Sequence, residues 1–122
     1  MKGVVFMDYY KVIKNKLIEN ENYAKIKDYS KEKYKLNIYY EVGKILSEAG
    51  KNYGDGIIKQ YSSKLQYEVG KKYNERTLRR IRQFYNKFKN IKWSQMATEL
   101  SWSHYCELLS ISNLDEIKYY VN

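Results

Sequence analysis

Proline is absent from this chain of 122 residues, and glycine occurs only six times. Because proline removes a backbone donor and glycine weakens helices, their scarcity leaves long helices uninterrupted. Long apolar runs are also missing, since Asp8 ends the short stretch from Gly3 to Met7 well before a membrane span is complete. We therefore expect an all-α, soluble and cytoplasmic protein without a membrane partner.

Residues with catalytic chemistry are scarce. Cys106 is the only cysteine, which excludes an internal disulfide or a cysteine metal cluster and fits a reducing compartment. We expect it to be a small packing residue. His104, the only histidine, has no serine or cysteine nucleophile at a recognisable spacing, and we expect it to be structural.

Two short motifs also fail to predict an enzyme. Gly54-Asp55-Gly56 lacks the G-K-[ST] of a phosphate loop and is explained by a turn in which Asp55 bonds local backbone. Glu116-Ile117-Lys118 matches one fragment of a nuclease metal site, but no upstream aspartate strand accompanies it. We expect no enzymatic activity, no cofactor and no metal.

The chain length suits one domain spanning residues 1–122, and the apolar spacing predicts a small helical bundle. The abrupt end at Asn122 suggests a domain cut from something longer. Apolar residues recur every three or four positions in the predicted helices. The longest helix runs through 34–46, with or without a break near Lys31, and Gly50 is predicted to stop it. The other predicted helices cover residues 8–19, 56–70, 74–89, 93–100, 101–109 and 113–121.

Positive charge is concentrated in one part of the chain. Residues 51–92 contain 12 lysines and arginines against three acids, a net charge of +9, whereas the rest of the chain carries 11 bases and 11 acids. All four arginines lie within seven residues, from Arg76 to Arg82. Such clustering is typical of a site for a polyanion, most plausibly nucleic acid.

The arginines lie in a predicted amphipathic helix that Asn74 caps. Its predicted core positions are Leu78, Ile81, Tyr85 and Phe88. The opposite track contains Arg76, Arg79, Arg80, Gln83 and Lys87. With the helix before it and the short turn at residues 71–73, this basic helix predicts a helix-turn-helix-like unit.

Arginine grips phosphate or guanine bidentately, and glutamine or asparagine reads adenine, so this helix is suited to DNA. The predicted nucleic-acid-binding residues are Arg76, Arg79, Arg80, Arg82, Gln83, Asn86, Lys87, Lys71, Lys72, Lys64 and Lys59. The alternative is a protein-interaction module, either a dimerisation domain or a stand-alone mobile-element inhibitor of a host nucleic-acid enzyme. Tyrosine and arginine suit protein interfaces as well.

Three sequence blocks resemble a known family. They are Ile38-Tyr39-Tyr40-Glu41-Val42-Gly43-Lys44, Arg79-Arg80-Ile81-Arg82-Gln83-Phe84-Tyr85 and Leu100-Ser101-Trp102-Ser103-His104-Tyr105. The N-terminal domain of the YhcG-type bacterial proteins has similar blocks, approximately YWEIGK, RMRQFY and LSWSH. Here Tyr40 replaces the tryptophan and Ile81 the methionine.

The resemblance implies a helical domain that contacts DNA. Members of the family usually continue into a C-terminal domain similar to PD-(D/E)xK nucleases, and this chain ends before such a domain would begin. The resemblance therefore implies a targeting or assembly module in which cutting is left to another part of the protein.

Overall fold

The structure is a computed structural model that describes residues 8–25, 31–89 and 102–108, and the regular structure in these ranges is entirely helical. This confirms the all-α prediction. None of the described helices is both long and apolar enough to cross a membrane. The helices are α1 (Tyr9–Ala24), α2 (Lys31–Tyr53), α3 (Gly56–Glu68), α4 (Glu75–Phe88) and α5 (Trp102–Leu108).

The long helix α2 is the centre of the bundle, because α1, α3, α4 and α5 all contact it. Val42 and Leu46, which the three- and four-residue spacing predicts to be on its apolar face, are fully buried, and so is Ala49. The partners on α1 are Ile13 and Leu17, which are equally buried. Burial of these side chains against one another drives the helices together.

The three sequence blocks meet in space around Phe84 of α4. The Phe84 ring lies edge-on to Trp102 and Tyr105 of α5, with ring centroids 5.4 and 5.2 Å apart. Trp102 also contacts Tyr39 of α2 edge-on at 4.9 Å. These edge-to-face contacts, the geometry that aromatic quadrupoles favour, join α2, α4 and α5.

The close approach of α2 and α4 depends on Gly43. A Cβ atom at this position would lie 2.5 Å from the Ile81 carbonyl oxygen and 2.7 Å from the Tyr85 Cβ. Both distances are too short for any side chain. Glycine at position 43 therefore sets how closely the two helices pack.

The end of α2 differs from the sequence prediction. The expected stop at Gly50 is wrong, since the helix continues to Tyr53 and the Gly50 carbonyl accepts a hydrogen bond from the Gly54 amide at 2.8 Å. Gly54 has a φ of 89°, the left-handed conformation that commonly ends a helix. The sequence offered two glycines, and the second has the terminating role.

Two other helix ends also differ from the predictions. The first helix extends beyond the expected 8–19 to Ala24, and α3 ends at Glu68, two residues before the expected Gly70. The predicted helices at 93–100 and 113–121, the Ser101 cap, the fragment Glu116–Lys118 and any break before Lys31 lie outside the described residues.

Candidate nucleic-acid interface

The basic helix α4 starts where the sequence predicts. The Asn74 side chain accepts a hydrogen bond from the Thr77 amide at 2.9 Å, which confirms Asn74 as the N-cap. Glu75 follows in the first turn, where its negative charge complements the positive end of the helix dipole. The cap satisfies an amide of the first turn and fixes where α4 begins.

One face of α4 is completely buried. It contains Leu78, Ile81, Phe84 and Phe88, none of which is exposed to solvent. The prediction that Tyr85 is a core position is wrong. Tyr85 is half-buried at the edge of this face, where its ring contacts Tyr40 at 5.0 Å, and Phe84 occupies the core because α5 covers that side of the helix.

The opposite face carries an exposed row of polar side chains at three- and four-residue spacing. We call this row the α4 stripe: Arg76, Arg79, Gln83 and Asn86. Residues on either side of the stripe are half-buried, with Arg80 and Lys87 on one flank and Arg82 on the other. The predicted polar track is thus solvent-accessible along its centre.

Four of the predicted residues line one shallow depression at the start of α4. Arg76, Arg79, Arg80 and Gln83 surround a volume of about 440 Å³ together with Glu75. Arg79 donates from Nε and Nη2 to the same Glu75 oxygen, at 3.2 and 2.8 Å. This exposed ion pair within one helix holds the Arg79 guanidinium along the helix surface, beside Glu75.

Arg80 lies on the flank that faces α5. Burial raises the pKa of the Cys106 thiol, and the nearby positive charges of Arg80 and Lys35 partly oppose that shift. A thiol with a raised pKa forms little thiolate at neutral pH. This fits the expectation of a packing residue, although Cys106 is half-buried rather than fully enclosed.

Arg82 and Asn86 are tied to other helices. Arg82 Nη1 donates to Asp55 Oδ1 at 3.0 Å, across the junction between α2 and α3. The Ser47 hydroxyl of α2 donates to Asn86 Oδ1 at 3.1 Å. These two predicted residues therefore also contribute to the packing of α4 against its neighbours.

Four of the five predicted lysines lie outside α4, on a different part of the surface. Lys72 Nζ pairs with Glu21 of α1 at 2.6 Å, and Lys64 Nζ lies over the Tyr10 ring at 5.0 Å. Lys59 and Lys71 are exposed on α3 and on the connection that follows it. Two of the four lysines are thus directed toward α1.

Sequence reasoning missed three residues beside the arginines. Ser47, Lys51 and Asp55 line a second depression together with Arg82 and Asn86. The expectation that Asp55 bonds local backbone is wrong, because its side chain makes no capping hydrogen bond at α3 and accepts one from Arg82 instead. A contact over 27 residues leaves no signal in local spacing.

Comparison with known proteins identifies the family. No curated protein and no solved structure is significantly similar to the chain. The family described as the DUF1016 N-terminal domain matches residues 13–122, which include all three sequence blocks and all five described helices except the first four residues of α1. The chain therefore belongs to the DUF1016 N-terminal domain family, the YhcG-type domain that its sequence blocks resemble.

Proposed function

We propose that this domain binds DNA without catalysing a reaction and that the α4 stripe contacts the major groove. The observation that supports the proposal is the exposure of Arg76, Arg79, Gln83 and Asn86 in one row on a helix whose other face is fixed in the core. A rigid helix presenting such a row is the usual form of a groove-reading element. In the family context, the domain would be the targeting part of a nuclease system.

The dimensions suit this role. A helix with its side chains is about 10–12 Å wide, and the major groove of DNA is about 12 Å wide. Arg76 and Arg79 provide bidentate donors for phosphate or guanine, and the Gln83 amide provides the donor and acceptor pair that reads adenine. Arg80 and Lys87 on the flank would then lie toward one strand's phosphates.

The charge distribution supports the same proposal. Arg79 and Arg82 each pair with one exposed carboxylate, of Glu75 and Asp55, within the domain. Exposed pairs of this kind are weak, so they yield to a polyanion that offers many phosphates. We expect the net charge of residues 51–92 to attract DNA at long range. On contact, DNA phosphates would replace the Glu75 and Asp55 carboxylates as partners of Arg79 and Arg82.

A protein-interaction module is the second candidate, and one observation favours it. Tyr67 on α3 is 92 % exposed, which is unusual for a large aromatic side chain. Exposed tyrosines recur at the centres of protein interfaces. If a protein partner rather than DNA is the ligand, Tyr67→Ala should weaken its binding, whereas the α4 stripe should matter little.

The first experiment is an anisotropy titration of labelled random-sequence duplex with three proteins. They are the native domain, an Arg76→Ala/Arg79→Ala variant and a Lys11→Ala/Lys25→Ala variant. Lys11 is exposed on α1 and Lys25 is exposed at its C-cap, so both variants lose two positive charges, but only the first loses them from the stripe. We expect at least about tenfold weaker binding for the arginine variant, as loss of two phosphate or base contacts implies.

Circular dichroism of each variant establishes that it remains folded. Equal loss of affinity in the two variants would show that net charge alone governs binding and would contradict a DNA-reading role for α4. Absence of DNA binding by the native domain at low salt would overturn the proposal and favour a protein partner.

A further inference from the structure

A second depression lies beside the α4 stripe, where the end of α2, the start of α3 and the middle of α4 meet. We call it the junction depression. It encloses about 340 Å³ and is lined by Ser47, Gly50, Lys51, Asp55, Arg82 and Asn86. Because Asn86 belongs both to this lining and to the stripe, the two surfaces are continuous.

The centre of the junction depression is the Arg82–Asp55 pair. The Arg82 side chain is 21 % exposed and therefore largely held in place, whereas the Asp55 side chain is 78 % exposed. Asp55 also makes no capping hydrogen bond to α3, so α3 does not hold its carboxylate. The Arg82 guanidinium is therefore held in place, whereas another anion can replace the Asp55 carboxylate.

Lys51 and Asn86 add further donors to the depression. Lys51 is exposed and contributes an ammonium group. Since Asn86 Oδ1 accepts from the Ser47 hydroxyl, the NH₂ end of the Asn86 amide is left as a donor. With Arg82, these groups form a donor set suited to a tetrahedral oxyanion.

We propose that the junction depression binds a backbone phosphate of the DNA. In the free protein Asp55 pairs with Arg82, and the phosphate displaces the Asp55 carboxylate when DNA binds. The proposal rests on the DNA-binding function proposed above and adds a phosphate site with a built-in competitor. A phosphate diester offers two unesterified oxygens to the Arg82 fork, the arrangement that the Asp55 carboxylate imitates. Among the described residues that line the depression, Asp55 is the only carboxylate, and it pairs with Arg82 rather than with the remaining donors, Lys51 and Asn86.

The position favours a DNA phosphate over a free anion. When the stripe contacts base edges, groups on the flanks of the helix face the sugar-phosphate backbone. Arg82 lies on one such flank and Lys51 extends the surface in the same direction. The site is therefore filled by the same duplex that the stripe reads.

The test is a gain of affinity. Asp55→Asn removes the competing charge and should tighten duplex binding about two- to fivefold, the factor that corresponds to the strength of an exposed ion pair. The control is Glu41→Gln, which neutralises another exposed carboxylate, the partner of Lys16 at 3.5 Å on the α1 side of α2. Glu41→Gln changes the net charge by the same amount as Asp55→Asn, but it should increase duplex affinity less, because solvent and salt screen charges that lie far from the DNA.

A double-mutant cycle assigns the gain to Arg82. Asp55→Asn should give no gain in an Arg82→Ala background, and Arg82→Ala or Lys51→Ala alone should weaken binding. If Arg82→Ala unfolds the domain, Arg82→Lys, which keeps the charge but not the fork, takes its place in the cycle. Gains that are equal for Asp55→Asn and Glu41→Gln, or independent of Arg82, would overturn the inference.

Failure of the phosphate-site proposal can be distinguished from failure of the proposed DNA-binding function. If duplex binding requires Arg76 and Arg79 while Asp55→Asn brings no gain, the α4 stripe binds DNA and the junction depression does not hold a phosphate. If the native domain binds no DNA, both proposals are overturned together.

Discussion

Tyr73 is the clearest case of a single residue that joins distant parts of the chain. It is fully buried just before α4, and its hydroxyl donates to the Glu21 carboxylate of α1, which also pairs with Lys72. Burial alone would raise the pKa of the Glu21 carboxyl, but the hydrogen bonds from Lys72 and Tyr73 outweigh it and hold that pKa below its ordinary value of 4.5. The connection before the basic helix is thereby anchored to α1.

Removal of this hydroxyl should cost stability. We expect Tyr73→Phe to lower the free energy of unfolding at pH 7 by about 1.5–3 kcal/mol, the usual scale for a hydrogen bond to a charged group. Tyr67→Phe is the matched control, because Tyr67 is 92 % exposed and loses the same atom without a buried partner. Urea unfolding followed by circular dichroism measures both, and equal stability of the two variants would contradict the account.

The same pair predicts a pH dependence. A carboxyl with a lowered folded-state pKa stabilises the protein above its unfolded-state pKa, and that contribution is lost as pH falls through the folded value. The stability difference between native protein and Tyr73→Phe should therefore be constant near neutrality and shrink below the ordinary Glu21 value of 4.5. Unfolding curves at successive pH values test this, and a difference that grows on acidification would contradict it.

At the scale of helices, the contact between α2 and α4 positions the candidate interface. Gly43 permits that contact because no Cβ fits between it and the Ile81 backbone. Any displacement of α4 would shift the stripe and the junction depression together. We therefore expect alanine substitutions at Gly43 and Gly50 of α2 to change stability in opposite directions, because different atoms face the two glycines.

We expect Gly43→Ala to destabilise the domain by about 1–3 kcal/mol, the range for overpacking a tight contact. Gly50→Ala in the same helix is the control. Its Cβ would lie 3.7 Å from Arg82 Nη1, an ordinary contact, so the better helix propensity of alanine should stabilise by about 0.5–1 kcal/mol. Thermal unfolding of the pair measures the contrast, and a stabilising Gly43→Ala would show that the helices are free to move apart.

The sequence was informative about helices and less so about their ends. Periodicity and the Asn74 cap placed α4 to within one residue, since both signals are local. The sequence did not show whether α2 ends at Gly50 or at Gly54, because the left-handed conformation of Gly54 depends on the following turn. The spacing also placed Tyr85 rather than Phe84 in the core, because the burial of Phe84 depends on α5, which packs over its ring.

Prediction of the candidate site had the same limit. The exposed positions Arg76, Arg79 and Gln83 follow from the spacing within one helix. The pairing of Arg82 with Asp55 does not, since it depends on how α4 lies against the α2–α3 junction. Local patterns thus located the basic face, and only the packing of helices revealed the depression beside it.

At the scale of the whole molecule, the charge is asymmetric. Residues 51–92 carry the entire net charge of +9, whereas the acids of α1 and α2 include Glu21 and Glu41, which pair with lysines. A nucleic acid would therefore be attracted toward the side formed by α3 and α4. Binding that replaces counterions on DNA must weaken as salt rises.

The most direct test of the central claim is the salt dependence of duplex binding. With about five phosphate contacts, the slope of log affinity against log salt should be about −4 to −5 for the native domain, and Arg76→Ala/Arg79→Ala should reduce its magnitude by about 2 if both arginines contact phosphate. Lys11→Ala/Lys25→Ala should leave the slope unchanged. A slope near zero for the native domain, or equal affinities of all three proteins at each salt concentration, would contradict the claim that α4 is the DNA-binding element.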